Sequence, residues 1–156
     1  MKKKLFDFND EWINLCNKAN PLSNLSSKEK VWYFSQCLVQ DVENGGIISF
    51  FYNYGADNFD ETIKSLDVLE AGDIKKLVLK LAGLFPDKIQ EMDIHARNEA
   101  IRNWPEGIYD KFIDDADKEF YKLQESFEER IVNFIQKENL DDKVWTQKVA
   151  WATFSQ

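Results

Sequence analysis

The chain has one histidine, His95, within Asp93-Ile94-His95-Ala96-Arg97. On a helix, Glu99 lies four residues further on and can pair with it. A catalytic acid–base role is one reading of the pair, and a structural surface histidine is the other. No catalytic constellation surrounds it. The sequence has no His-Glu-x-x-His, no cysteines at metal-ligand spacing and no phosphate-cradling glycine loop. Gly45-Gly46 lacks the Lys-Ser/Thr of a P-loop and reads as a helix cap that permits close packing. Cys16 and Cys37 fall on apolar helical faces and are expected to be buried, reduced thiols. Asn44 and Asn53 are amides in apolar company. Helix-end hydrogen bonds would satisfy them, and a ligand contact is the alternative. The expectation is a protein that is not an enzyme, with no cofactor and no bound metal.

The side chains present in quantity are carboxylates. The net charge is -8, which opposes nucleic-acid binding and an anionic membrane surface and favours basic protein partners. The charge is uneven. Residues 41–73 hold eight acids against Lys64 alone, and residues 110–142 hold eleven acids against five basic residues, while the remainder is net positive. Within these segments Asp57, Asp60 and Glu61 crowd one helix start, and Asp114, Asp115 and Asp117 crowd another. These six are the candidate partner-binding residues. Acids at helix starts also stabilise the helix, so a structural role competes with the functional one. A straight helix carrying seven net charges over roughly 50 Å has about one per 7 Å, several-fold sparser than the ~1.7 Å of duplex DNA. Imitating a duplex therefore requires the two segments to converge on one face, or two subunits to combine theirs.

The elements that would position these acids are all helical. Residues 5–19 repeat Phe8, Trp12, Leu15 and Cys16 at helical spacing, and the loop at Pro21 could leave this helix as a loosely attached arm. The organisation expected is an N-terminal helix and linker over 1–24 and a helical domain over 25–156. Ser26 and Glu29 form a capping box that starts a helix through Val42, with Asn44 and Gly45 as a left-handed cap. Residues 47–54 have strand-like composition but no partner strand. Ile47, Phe50, Phe51 and Tyr54 fit a short buried helix instead. Asp57 or Asp60 is expected to cap the next helix, Asp73 the one ended by Phe85-Pro86, and Asp93 the one ended by Trp104-Pro105. A long helix over 110–138 carries an apolar stripe from Phe112 to Ile135, and a last helix is expected over 142–154. The fold predicted is all-α, a single-domain bundle of about eight helices. Acids follow Met1-Lys2-Lys3-Lys4 at once, so no export signal forms, and a cytoplasmic location is expected.

The run Leu25-Ser26…Glu29-Lys30…Tyr33…Leu38…Val42-x-Asn44-Gly45-Gly46…Phe50-Phe51-x-Asn53 resembles a bacterial family typed by a DNA-mimic protein. Leu66…Leu69-x-Ala71, Phe85-Pro86-Asp87, Asp93…Arg97 and Asp117-x-Glu119-Phe120-Tyr121 agree with it, so the resemblance spans roughly 25–137. Glu70 stands where the family pattern has a glycine, and Gln90-Glu91-Met92-Asp93 lacks a proline before the aspartate. The resemblance implies an all-α fold, a homodimer and a role exerted through an acidic surface. Two partner classes fit that surface. One is a transcription factor whose DNA-binding face is blocked. The other is a basic toxin neutralised by an immunity-type protein.

Overall fold

Two residues start the helix on which the core is built. Ser26 Oγ accepts from the Glu29 N–H at 3.1 Å, and Glu29 Oε1 accepts from the Ser26 N–H at 2.9 Å. This is the capping box predicted from the sequence, and it satisfies two backbone donors that the helix leaves unpaired. Both Glu29 oxygens also accept from Lys18 Nζ, at 2.8 and 2.9 Å. Burial pushes the Glu29 carboxyl up, but the bonds from Lys18 and Ser26 hold it below its usual range.

The computed structural model describes residues 1–142, and its elements are helical, with no strand among the described residues. In order they are α1 (Asn9–Lys18), α2 (Ser27–Gly45), α3 (Ser49–Tyr52), α4 (Phe59–Val68), α5 (Gly72–Ala82), α6 (Ile94–Asn103) and α7 (Asp110–Lys137). Short 3-10 turns at Leu5–Phe8, Leu22–Asn24, Tyr54–Asn58 and Ile89–Glu91 link them. The all-α prediction agrees with this architecture. The helix expected over 142–154 lies outside the described residues.

α2 packs against α4, α3 and α7, and α5 closes over α4 and α7. Trp32, Leu38, Val42, Phe50, Phe51, Phe120 and Phe127 are all buried in one cluster. The N-terminal helix is no loose arm. Leu5, Phe8, Trp12 and Leu15 belong to the same cluster, and the Trp12 ring stacks on Tyr33 at 5.7 Å.

The stretch with strand-like composition is helical over Ser49–Tyr52, which holds Phe50 and Phe51, while the equally buried Ile47 lies in the turn before it. Ser49, Phe50 and Phe51 donate their N–H groups back to Gly46, Ile47 and Ile48, so the backbone is satisfied locally. The helix ends at Tyr52, and the extended Asn53 separates it from Tyr54. Tyr54 is therefore exposed, not the fourth buried position of the stripe.

Other expectations change at helix ends. Neither Asp57 nor Asp60 caps α4; Asn58 precedes it and makes no side-chain cap bond. Asp73 lies inside the first turn of α5, whose cap position is Ala71, and α5 ends at Ala82, before Phe85-Pro86. The α2 cap is Gly46 with φ +82, one residue beyond the Asn44-Gly45 expected. Asp93 does cap α6, accepting from the Ala96 N–H at 2.8 Å. Cys16 is exposed and Cys37 half-buried, and both are free. Asn44 and Asn53 are exposed, as is Phe112 at the start of the α7 stripe. Each of these sits at the rim of the helix pattern, where periodicity does not fix depth.

The junction between α4 and α5 explains the departure at position 70. Glu70 has φ +53, in the left-handed region. The Ala71 N–H reaches back to Leu66 O at 2.9 Å, and the Glu70 N–H to Asp67 O at 3.1 Å, which together close the helix. A side chain in that conformation costs about 1 kcal/mol that glycine avoids. Arg130 Nη1 donates to the Glu70 carbonyl at 2.9 Å and to Asp73 Oδ1 at 3.1 Å, which holds the turn against α7. Glu70→Gly and Glu70→Ala both keep that carbonyl and lose the carboxylate. The glycine variant is expected to be more stable than the alanine variant by about 1 kcal/mol in urea unfolding. Equal midpoints would mean that the turn relaxes to negative φ.

Candidate functional site

Arg97 is fully buried, with 0% of its side chain exposed, and its guanidinium gathers four acceptors. Nε donates to Phe51 O at 2.9 Å, Nη1 to Met92 O at 2.8 Å, and Nη2 to Asn53 O at 3.0 Å and Asp57 Oδ1 at 2.8 Å. α6 supplies the arginine, held by its Asp93 cap. The end of α3, the residue that opens the 3-10 turn after it and the loop before α6 supply the carbonyls. Asp57, a candidate for partner binding, is thus the counter-ion of a buried arginine.

A second tie joins α2 to α7. Asp117 Oδ1 accepts from the Ile47 N–H at 2.7 Å. A Cβ placed on Gly46 would sit 2.7 Å from Asp117 Oδ2, so with φ +82 this position requires glycine twice over. The glycine pair thus serves as the close-packing cap expected from the sequence, and Asp117 is the residue packed against it. On the other side of α3, Gly55 leaves room for Asp41, whose Oδ2 would lie 2.6 Å from an added Cβ. Asp41 Oδ1 accepts from Asn53 Nδ2 at 3.3 Å. Burial pushes the Asp41 carboxyl up, and the Asn53 bond opposes that rise.

The remaining candidates occupy different clefts. Asp60 and Glu61 line one with Asp57, Glu91 and Asp93, and Asp60 Oδ1 accepts from Gln90 Nε2 at 2.9 Å. Asp114 and Asp117 line a groove against α3 and the α6–α7 connection, while Asp115 lines a third cleft beside Lys76 and Lys80 of α5. Asp114 pairs with Lys118 at 3.0 Å and Asp115 with Lys111 at 2.9 Å. The bond from Lys111 holds the Asp115 carboxyl below its usual range. His95 is exposed on α6, away from the Arg97 cluster's buried interior.

Apart from the tie of Asp117 to the Ile47 amide, the acids of the two segments meet at residues not among the six. Gln124 Nε2 donates to Glu43 Oε1 at 2.9 Å, which brings the end of α2 against the middle of α7. Burial pushes the Glu128 carboxyl up. A Gln124 hydrogen bond opposes this, and the charges of Glu43 and Glu125 push it further up. Asp110, Asp114 and Asp117 recur at three- and four-residue helical steps, and after a gap of about two turns at Tyr121, Glu125 and Glu128 continue on the same flank of α7, over about 27 Å in all. With Glu43 this is a carboxylate every ~5 Å, against ~3.4 Å for the phosphates of one DNA strand. The stripe is readable in the sequence as spacing 110, 114, 117, 125, 128. What α2 adds to it is not. At its far end Lys2, Lys3 and Lys4 share a cleft with Glu125, Glu128 and Glu129, and Lys2 Nζ lies 3.2 Å from Glu129 Oε1.

Among the described residues no group of three or more His, Cys, Asp or Glu is placed to hold a metal ion, and no helix is long and apolar enough to cross a membrane.

Two substitutions separate the structural arginine from the acidic face. Arg97→Lys is expected to cost about 3–5 kcal/mol in urea unfolding, because one ammonium cannot reach four acceptors in this geometry. A loss below about 1 kcal/mol would mean that the freed carbonyls find other donors. Glu128→Gln should act the other way. The native carboxyl binds its proton more tightly than the unfolded one, so stability is fully present below the ordinary glutamate value. It is lost as pH rises through the raised native value. The variant should therefore melt roughly 1–3 °C higher than the parent at pH 7 and at the same temperature near pH 3.5. A lower melting temperature at pH 7 would show that Glu128 is stabilised by its neighbours.

No curated protein and no solved structure matches the chain. The sequence model of the DMP19-like protein family matches residues 23–138, which take in α2 to α7 with the Arg97 cluster, the Gly46–Asp117 tie and the α7 stripe. On that match the chain belongs to the DMP19-like protein family.

Proposed function

We propose that the protein binds a DNA-binding protein and occupies its basic surface in place of DNA. The observation that carries this reading is the meeting of Glu43 with the α7 stripe. Like charges are held together there, where Gln124 bonds one of them and burial disfavours another. Such clustering works against the fold, because each carboxylate raises the cost of its neighbours. A surface selected for stability alone has no reason to keep it. Membership of the DMP19-like family supports the same reading.

The role is one of binding and not of catalysis. An arginine- or lysine-rich face would take the stripe by charge-assisted hydrogen bonds, and opposite fields would steer the encounter. Asp57 and Asp117 serve the fold, leaving Asp114, Glu125, Glu128 and Glu43 as the contact groups, with Asp60 and Glu61 on a separate cleft.

The partner recovered by pull-down from the source cell should be a DNA-binding protein whose DNA competes with this chain for one site. Changing Asp114→Asn, Glu125→Gln and Glu128→Gln together should weaken the complex on the order of tenfold at low salt and flatten its salt dependence. Asp60→Asn with Glu61→Gln should leave both unchanged. A ternary complex with DNA, or an unchanged salt slope in the triple variant, would remove the stripe from this role.

A further inference from the structure

The carboxylates of the first α7 turns do not stand on a flat surface. Asp110, Asp114 and Asp117 edge a groove of about 790 Å³ between α3, the α6–α7 connection and α7. Its floor and walls include Tyr52, Trp104, Ile108 and Ile113. Tyr52 is 42% exposed and Ile108 55% exposed, so apolar surface is left open to water here. The groove is firmly built. The Trp104 ring packs edge-on to Phe85 at 5.4 Å and to Tyr109 at 4.9 Å, which ties the wall to the buried core. Asp117 is fixed by the Ile47 N–H, and Ile47 itself is fully buried. Around the rim Glu106, Asp110, Asp114 and Asp117 stand against Lys111, whose ammonium is turned to Asp115 at 2.9 Å, and Lys118, which pairs with Asp114 at 3.0 Å.

We propose that this groove is the specificity site for the protein partner: it takes a segment in which an apolar side chain is flanked by lysine or arginine. The inference rests on the acidic-face reading above and deepens it. Charge alone would attach the stripe to any basic surface. DNA-reading surfaces, however, interleave arginine and lysine with the apolar groups that meet thymine methyls and base edges. A groove with carboxylates at its rim and Tyr52, Ile108 and Ile113 inside answers both halves of such a surface. A second copy of this chain fits poorly, since it would bring its own carboxylate rim against this one. An acidic segment would be repelled by the rim, and a neutral apolar one would gain nothing from its charge.

The test uses the full chain and two short synthetic peptides. One places leucine and phenylalanine at helical spacing among lysines and arginines. The other has serine in place of the apolar residues and the same charge. The amphipathic peptide is expected to bind at least about tenfold more tightly, to perturb the amide signals of Tyr52, Ile108 and Ile113, and to lose that advantage in Ile108→Ser and Tyr52→Ser. Both residues are exposed enough for the variants to fold, and thermal melts check this. Equal binding of the two peptides, with steep salt dependence, would overturn the groove and leave the acidic-face reading standing. No binding of either peptide at low salt would remove both. Tighter amphipathic binding that ignores salt would overturn the role given to the rim. A dimer of the parent chain that Ile108→Ser dissociates would seat a second copy in the groove and overturn the proposal.

Discussion

A buried guanidinium holds the centre of this molecule. Arg97 is out of contact with water, and a charge in that position is tolerated only when nearly all of its donors are used. It meets that condition by collecting carbonyls from Phe51, Met92 and Asn53, together with the carboxylate of Asp57. These acceptors lie on three short segments: the end of α3, the 3-10 turn after it and the loop before α6. Without the arginine, those segments would expose carbonyls to an apolar interior. With it, Phe50 and Phe51 can stay packed in a stretch of only four helical residues. Phe51 then stacks on Phe85, Phe85 packs on Trp104, and Trp104 sets the wall of the apolar groove. The arginine therefore reaches the surface through a line of rings and needs no direct contact with it.

The carboxylates divide by what they touch. Asp57 neutralises Arg97, Asp93 caps α6, Asp117 receives the Ile47 N–H, and Asp73 receives Arg130. Each of these is required by a neighbouring donor. Glu43, Glu125 and Glu128 are placed differently: Glu43 has the neutral Gln124 as its donor, and Glu125 and Glu128 lie near one another in the cleft that Lys2, Lys3 and Lys4 share. Two charges push on Glu128, and the bond it accepts from Gln124 only partly offsets burial. The difference between an acid that answers a donor and an acid that crowds another acid cannot be seen in a count of charges.

Much of the architecture was legible in the sequence because it depends on local chemistry. The capping box at Ser26 and Glu29, the Asp93 cap, the bounds of α7 and the helical state of Phe50-Phe51 follow from spacing and from the need to pair backbone groups. The left-handed position at Glu70 was visible as a departure from the family pattern, and the backbone shows why a glycine suits it. Less legible was everything set by long-range contact. Asp57 and Asp117 have the composition of exposed helix-start acids, yet Asp57 meets a side chain 40 residues away and Asp117 a backbone amide 70 residues away. Cys16 sits at an apolar position of its helix and still faces water, because α1 is covered on one side only.

The acidic surface and the arginine are linked through one small loop. Gly46 turns the chain out of α2 with φ +82, and the next residue, Ile47, both donates to Asp117 and enters the core beside Phe50. Three consequences meet there. The turn brings α3 to where Arg97 can bind its carbonyl ends. The amide fixes the α7 register, and with it the flank on which Asp110, Asp114, Glu125 and Glu128 lie. The end of α2 places Glu43 against Gln124, beside the Glu125–Glu128 end of the stripe. A helix slipped by one residue would turn the whole row by about 100°, away from Glu43 and the groove. The glycine pair does no chemistry itself, and yet the alignment of the charged face with the groove depends on it.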